Sequence, residues 1–153
     1  MKDIYNFLQL TGKLSTSGMP THEQLSEVAE AGVEFVVNLA TSKSEGWIPN
    51  EGDVLTGLGV DYLSIPVDWD NPTAENLAEF MDALEARKDE RVHVHCKANF
   101  RAMAFVTLYR ILRLGREREQ AFQDIRKIWK LEEHPVWQKF VNESLENASA
   151  NHR

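Results

Sequence analysis

The sequence has little of what marks a secreted, membrane-spanning or fibrous protein. Cys96 is its single cysteine, so no internal disulfide and no cysteine-rich zinc site can form. Glycine and proline are scarce, at 8 and 5 of 153 residues, and the chain has no internal repeat. The N-terminus lacks the pattern of a signal peptide, and no stretch reaches the roughly 20 apolar residues of a membrane span. We therefore expect a cytoplasmic protein that does not bind a membrane.

Basic residues are also fewer than acidic ones. The chain carries 17 Lys and Arg residues against 24 Asp and Glu residues, a formal net charge of −7. This balance argues against a broad electrostatic grip on nucleic acid or on anionic membrane. It is compatible with a small anionic substrate, provided that the binding site is locally positive.

Short apolar runs alternate with amphipathic stretches along the chain. Three runs are typical of buried strands: VEFVVNL, DYLSIPV and RVHVH. AENLAEFMDALEA and AMAFVTLYRILRL have helical periodicity, and Thr21 and Gln24 have the spacing of a capping box. The alternation predicts an α/β fold with a mostly parallel central sheet flanked by helices. We expect one domain over residues 1–146 and a flexible C-terminal tail over residues 147–153.

The single cysteine lies in VHVHCKANFRA, where a predicted strand runs directly into a predicted helix. At such a junction, unpaired N–H groups and the helix dipole favour the thiolate of Cys96. Successive N–H groups of the loop can form a nest for an oxyanion, and Arg101 can hold two oxygens of that anion. Asn99 tolerates the left-handed backbone that such a loop requires. The stretch therefore predicts a nucleophile beside an anion cradle.

Two aspartates follow the preceding strand. Asp68 and Asp70 come just after DYLSIPV, and Cys96 comes at the end of RVHVH. Ligands of parallel sheets collect at the carboxyl ends of the strands. We therefore expect these side chains to converge on one site, with Asp70 the better placed of the two for a turn or a helix cap.

HCKANFRA resembles the signature loop of the cysteine-dependent protein tyrosine phosphatase superfamily, H-C-x5-R followed by Ser or Thr. SGMPTHEQL, AGVEFVVNLA and YLSIPVDWDNPTAENLAEFMDAL extend the similarity over residues 14–112. These stretches are similar to the compact dual-specificity-like bacterial branch, which includes the beta-lactamase-hydrolase-like phosphatase-like domains. The resemblance implies a phosphatase-like fold and hydrolysis of a phosphorylated substrate. It implies no metal and no organic cofactor.

The resemblance also implies a role for each matching residue. Cys96 corresponds to the nucleophile that forms a phosphocysteine, and Arg101 to the residue that binds phosphate. Asp68 is the preferred general acid that protonates the leaving oxygen, with Asp70 as the alternative. The remaining residues of the phosphate-binding loop are His95, which would orient the loop, Lys97, Ala98, Asn99, Phe100 and Ala102.

The loop departs from the superfamily pattern in three ways. Four residues instead of five separate Cys96 from Arg101, Asn99 stands in place of the usual glycine, and Ala102 replaces a hydroxyl residue. A misplacement of about 1 Å can cost on the order of a hundredfold in rate. Two alternatives therefore stay open. One is a catalytically weak pseudophosphatase that binds an anion or a partner, and the other is a rhodanese-like sulfurtransferase, whose C-x-x-G-x-R loop has the same length.

Overall fold

The computed structural model describes the backbone of residues 1–151 and the side chains of residues 1–148. Its centre is a five-stranded sheet in the order β1-β2-β5-β3-β4. The strands are β1 Leu8–Thr11, β2 Leu14–Ser17, β3 Phe35–Asn38, β4 Asp61–Ser64 and β5 Val92–His95. β2, β5, β3 and β4 run parallel, and only β1 is antiparallel to its neighbour β2. The predicted α/β fold with a mostly parallel sheet is confirmed.

Helices cover both faces of this sheet. They are α1 Gln24–Glu30, α2 Glu51–Gly57, α3 Ala74–Ala86, α4 Phe100–Leu112, α5 Arg118–Ile125 and α6 Pro135–Asn151, with a 3₁₀ turn at Leu131–Glu133. The larger core joins the sheet to α3, α4 and α6, and α4 lies at its centre with residues 101–110 all buried. A smaller core joins the other face to α1 and α2. The site is therefore built on a helix that is fixed by packing along most of its length.

The first hairpin was not apparent in the sequence. All four residues of β2 are buried, yet three of them carry hydroxyl groups, so LSTS lacks the apolar run of a central strand. The structure satisfies these hydroxyls internally: Ser15 and Ser17 contact His93, and Thr16 contacts Asn99. Buried polar groups are tolerated when they are hydrogen-bonded in this way.

Helix ends follow the local sequence. Thr21 and Gln24 form the predicted capping box, with reciprocal backbone-to-side-chain bonds of 2.9 and 3.2 Å. The cap of α3 is Thr73, whose hydroxyl accepts from the N–H of Asn76 at 3.1 Å. The cap is thus not Asp70. Helix α6 continues through Asn151, so residues 147–151 of the predicted tail are helical, while residues 152–153 lie outside the described part of the chain. No helix within residues 1–151 is both long and apolar enough to cross a membrane.

Candidate active site

The cysteine lies where β5 meets the N-terminus of α4. Its sheet neighbours fix this position, because His95 pairs with Ser17 of β2 on one side and with Asn38 of β3 on the other. Cys96 is 1% exposed, and its Sγ accepts a hydrogen bond from the backbone N–H of Ala102 at 3.4 Å. An N–H donor in the first turn of a helix stabilises a thiolate both by the bond and by the helix dipole.

The turn between strand and helix depends on Asn99. This residue has φ +71°, the left-handed conformation that the sequence predicted for it, and α4 begins immediately after it at Phe100. Asn is among the few residues other than glycine that adopt this conformation routinely. Its buried amide donates to Thr16 Oγ1 at 2.9 Å and to the carbonyl oxygen of Asn6 at 2.8 Å. Asn99 therefore provides both the backbone turn and an anchor, which a glycine could not.

Arg101 connects the cysteine loop to the segment that carries the aspartates. Its side chain is nearly buried, at 6% exposure, and Nη1 donates to the carbonyl oxygen of Val67 at 2.8 Å. Val67 immediately precedes Asp68. The guanidinium thus fixes the beginning of the Asp68 segment beside the loop, and its planar fork has five donors, more than this one bond uses.

Both aspartates are exposed on a tight turn. The Oδ1 of Asp68 accepts from the N–H of Asp70 at 2.9 Å, and the N–H of Asn71 donates to the carbonyl oxygen of Asp68 at 3.1 Å. The residue that shapes this turn is therefore Asp68 rather than Asp70. Among the described residues, neither carboxylate belongs to the lining of the cleft over Cys96, although Trp69 between them does. The acid role of Asp68 stays a prediction.

His95 binds a carboxylate that the sequence did not indicate. Its Nε2 donates to Oε2 of Glu51 at 2.6 Å, and both side chains are fully buried, at 0 and 1% exposure. Glu51 is the first residue of α2 and lies 44 positions before His95. No spacing rule connects two such distant residues, so only the packing of α2 over the sheet reveals the pair. A hydrogen bond to a buried carboxylate fixes both the ring orientation and the tautomer of His95.

The same carboxylate acts on a neighbouring phenol. Burial and, to a smaller extent, the charge of Glu51 raise the pKa of Tyr62 above its ordinary value. The hydroxyl of Tyr62 accepts from Nδ2 of Asn38 at 3.1 Å. Glu51 therefore acts both on His95, the residue before Cys96, and on Tyr62 of β4.

His93 is held in a second buried network, two residues before His95. Ser15 Oγ lies 2.7 Å from Nδ1 and Ser17 Oγ lies 2.8 Å from Nε2. Because Ser17 gives its proton to the carbonyl oxygen of Gly18, it must accept from Nε2–H, and Ser15 must then donate to Nδ1. Burial, with a smaller effect of His95, lowers the pKa of His93 to about 3. His93 is thus a neutral structural residue with one defined tautomer.

A cleft of about 520 Å³ opens over the cysteine. Its lining residues are Cys96, Lys97, Ala98, Phe100 and Arg101 of the loop, together with Tyr5, Thr41, Lys43, Ser44 and Trp69. The loop residues that the sequence singled out are thus brought together, with His95, Asn99 and Ala102 buried behind them. The cleft is much larger than a phosphoryl group, so it has room for the group to which the phosphate is attached.

One wall of this cleft is aromatic and rigid. The ring of Phe100 stacks on Trp129 with centroids 4.8 Å apart and an interplanar angle of 4°. Trp69 contacts both of these rings and is held by its carbonyl oxygen, which accepts from Nε1 of Trp137 at 2.8 Å. The lining also includes Lys97, whose Nζ lies 3.6 Å from a carboxylate oxygen of Glu45. The cleft therefore combines a floor that contains Arg101 and the start of α4 with an apolar wall.

A second cleft, of about 510 Å³, lies at the other end of the sheet. Lys13 and Arg91, which line it, come just before the first residues of β2 and β5. Among the described residues that line it there is no cysteine. The cleft over Cys96 is therefore the better candidate for chemistry, although the two are similar in volume.

Comparisons with known proteins identify the family of this chain. Residues 9–143 match the family described as "DSP-PTPase phosphatase fused to NAD+ Kinase". Among solved structures, a DUF442 protein from Shewanella putrefaciens CN-32, assigned as a phosphatase, is 36% identical with a TM-score of 0.83. The match covers 94% of this chain and 90% of that one. No curated protein matches.

More distant structures share the fold. PTPMT1, solved in complex with PI(5)P, is 20% identical with a TM-score of 0.75, covering 96% of this chain and 99% of its own. TpbA of P. aeruginosa, solved in complex with pTyr, is 19% identical with a TM-score of 0.70, covering 89% of this chain and 82% of its own. At these identities the likeness establishes a common fold and leaves the chemistry to the residues themselves.

Proposed function

Because this chain belongs to the DSP-PTPase phosphatase family that is described as fused to NAD+ kinase, we propose that it hydrolyses a phosphate monoester through a cysteinyl-phosphate intermediate on Cys96. The observation that carries the proposal is the contact between the sulfur and the N–H of Ala102 at the start of α4. That contact, beside the buried Arg101, suits an anionic nucleophile facing an anionic substrate.

The first step transfers the phosphoryl group to sulfur. The Cys96 thiolate attacks phosphorus, the bond from phosphorus to the ester oxygen breaks, and Asp68 gives its proton to the leaving oxygen. In the second step water attacks phosphorus, its proton passes to the Asp68 carboxylate, and the bond from phosphorus to sulfur breaks. Inorganic phosphate leaves and the thiolate is restored, so protons and electrons balance over the cycle.

Arg101 and Asp68 act on opposite ends of the transferred group in this scheme. Arg101 binds the equatorial oxygens, where negative charge is largest, and its bond to Val67 holds the start of the Asp68 segment beside the loop. The exposure of Asp68 is compatible with this role, because hydrogen bonds to a catalytic acid often tighten only when substrate binds. Asp70 is the alternative acid.

The cleft and the relatives support one class of substrate. TpbA has been solved with pTyr and PTPMT1 with PI(5)P, and each of these ligands carries a phosphate monoester. The aromatic wall of Trp69 and Phe100 can pack against an apolar or planar leaving group. These features support a monoester whose organic part fills the cleft. The relatives do not favour the sulfurtransferase or the pseudophosphatase.

The test is hydrolysis of a small aryl phosphate by the metal-free protein, beside Cys96→Ser and with vanadate as competitor. We expect turnover that vanadate inhibits and that Cys96→Ser abolishes, since a hydroxyl is a much weaker nucleophile here. An exposed polar substitution far from the cleft, Asn142→Asp, serves as the control. If Cys96→Ser hydrolysed the ester as fast as the parent, the covalent route would be wrong. Activity from thiosulfate to cyanide, with a persulfide visible by intact mass, would indicate sulfur transfer instead.

A further inference from the structure

The N-terminal arm, residues 4–7, packs against the outer side of the cysteine loop. Gly18 lies between the two, with its N–H donating to the carbonyl oxygen of Tyr5 at 2.7 Å. A Cβ added at Gly18 would come within 2.6 Å of the Lys97 carbonyl oxygen and 2.7 Å of the Tyr5 ring. Only glycine allows so close an approach, so the arm and the loop pack directly against each other at Gly18.

Hydrogen bonds hold three carbonyl groups of this stretch. Leu39 N–H donates to the carbonyl of His95 on the β3 side, and Met19 N–H donates to that of Lys97 on the β2 side, each at 2.8 Å. The carbonyl of Ala98 accepts from the side-chain Nδ2 of Asn6 at 3.1 Å. Of these three bonds, only the one from Asn6 depends on the identity of a side chain.

Holding a carbonyl outward directs an N–H inward. A trans peptide unit is planar, so its C=O and the following N–H point in opposite directions, and residues 1–151 contain no cis peptide. The bond from Asn6 keeps the Ala98 carbonyl oxygen away from a bound anion, which that oxygen would repel. The N–H of Asn99 turns toward β2, where Gly18 and Ala98 form an antiparallel bridge. With the Lys97 carbonyl bonded to Met19, the N–H of Ala98 faces the other side of the loop, where an oxyanion needs it.

The contact between arm and loop is reciprocal. Asn99 Nδ2 donates to the carbonyl oxygen of Asn6 at 2.8 Å while Asn6 Nδ2 donates to the carbonyl next to Asn99. Asn6 and Asn99 are also the non-glycine residues with positive φ in the described chain, at +52° and +71°. Each side chain thus fixes the backbone beside the other, and two sparsely populated conformations are stabilised together.

From this geometry we infer that Asn6 is a positioning residue of the active site, which holds the shortened loop open for a phosphoryl oxyanion. The loop has four residues between Cys96 and Arg101, so it offers few N–H groups and each one counts. The inference rests on the proposed function for the identity of the anion. It gives the arm, which lies outside the H-C-x5-R pattern, a defined role in binding.

Two variants separate the hydrogen bond from the backbone conformation. Asn6→Gly keeps the positive φ and removes the donor, and Asn6→Asp keeps the shape but sets an oxygen against the Ala98 carbonyl. Loss of one hydrogen bond predicts a vanadate inhibition constant raised about two- to tenfold for Asn6→Gly, and more for Asn6→Asp. We expect KM for an aryl phosphate to rise in parallel, with a smaller change in kcat. Asn147→Asp, an exposed change of the same chemistry on α6, should leave both constants unchanged.

The outcomes distinguish this inference from the proposed function. If both Asn6 variants kept the parental vanadate constant and KM, with only a lower unfolding temperature, the arm would be merely structural and the inference would be wrong. If the parent itself showed no Cys96-dependent turnover, the proposed function would fail. The inference would then be decided by the binding of vanadate or inorganic phosphate measured by calorimetry, where a weaker affinity in the Asn6 variants supports it and an equal affinity overturns it.

Discussion

Acidification should destabilise the protein through one buried histidine. The pKa of His93 is about 3 in the folded protein, because of burial, against about 6.5 in an unfolded chain. Between these values the unfolded state binds a proton that the folded state does not, so stability falls as the pH falls. Integrating this difference from pH 6.5 to pH 5.0 gives a loss of about 1.6 kcal/mol in the free energy of unfolding. The stability that depends on neutral His93 is therefore present above pH 6.5 and is lost progressively below it.

The assay is urea unfolding at pH 6.5 and at pH 5.0, for the parent and for His93→Gln. Glutamine does not titrate, so its variant should lose about 1.6 kcal/mol less than the parent over this interval. The two proteins share every other histidine and every carboxylate, and the contributions of those that do not interact with His93 cancel in the comparison. The absolute stability of His93→Gln will be lower, since its contacts with Ser15 and Ser17 are imperfect, but only the pH dependence is compared.

An equal loss in the two proteins would refute the reasoning. It would mean that His93 either becomes protonated within the fold or is accessible to water. The first case would require the Ser15 hydroxyl to rotate, so that it accepts from Nδ1–H of the imidazolium instead of donating to Nδ1.

Two further substitutions test the polar residues around the cysteine. Glu51→Gln replaces a charge-assisted bond to His95 by a neutral one, which should lower the free energy of unfolding by about 1 kcal/mol and also lower the pKa of Tyr62. Urea unfolding and ultraviolet titration of the phenol would measure this, with exposed Asp53→Asn in the same helix as control, and an unmoved phenol would contradict it. Asp68→Asn should slow hydrolysis on the order of a hundredfold for an alkyl phosphate, and less for an ester with a good leaving group. If Asp70→Asn had that larger effect instead, the acid would be Asp70.

The sequence predicted the features of the fold that depend on local residue patterns. The strand and helix patterns around the loop were clear because β5 alternates valine with histidine and α4 is apolar along most of its length. These patterns fixed the junction that holds Cys96. The left-handed turn at Asn99 followed from residue type alone. Arg101 follows Cys96 in the same loop, so their proximity needed only the junction of strand and helix. The rule that ligands collect at the carboxyl ends of parallel strands also predicted that Asp68 and Asp70 would join them, but neither carboxylate is among the described residues that line the cleft.

What escaped prediction depends on contacts between distant segments. Strand β2 carries hydroxyl groups because its partners are the imidazole of His93 and the amide of Asn99, and neither partner can be read from LSTS. In the sequence, Glu51 looks like any acidic residue at the start of a helix. Only the packing of α2 shows that it is buried against His95. Asn6 likewise gave no signal in the sequence, since its partner is a backbone carbonyl 92 positions away.

The three departures of the loop from its superfamily pattern have physical counterparts in the fold. Ala102 lacks the hydroxyl of the superfamily pattern, but its backbone N–H donates to the sulfur of Cys96, and this donor does not depend on the side chain. Asn99 stands where the pattern has glycine, and it keeps the left-handed turn and adds two hydrogen bonds. The missing loop residue removes an N–H, and the arm holds the shortened backbone through its bonds with Ala98 and Asn99. A loop that is short but braced from outside can therefore be as preorganised as a longer one, which is why the length of the spacing alone is a poor measure of activity.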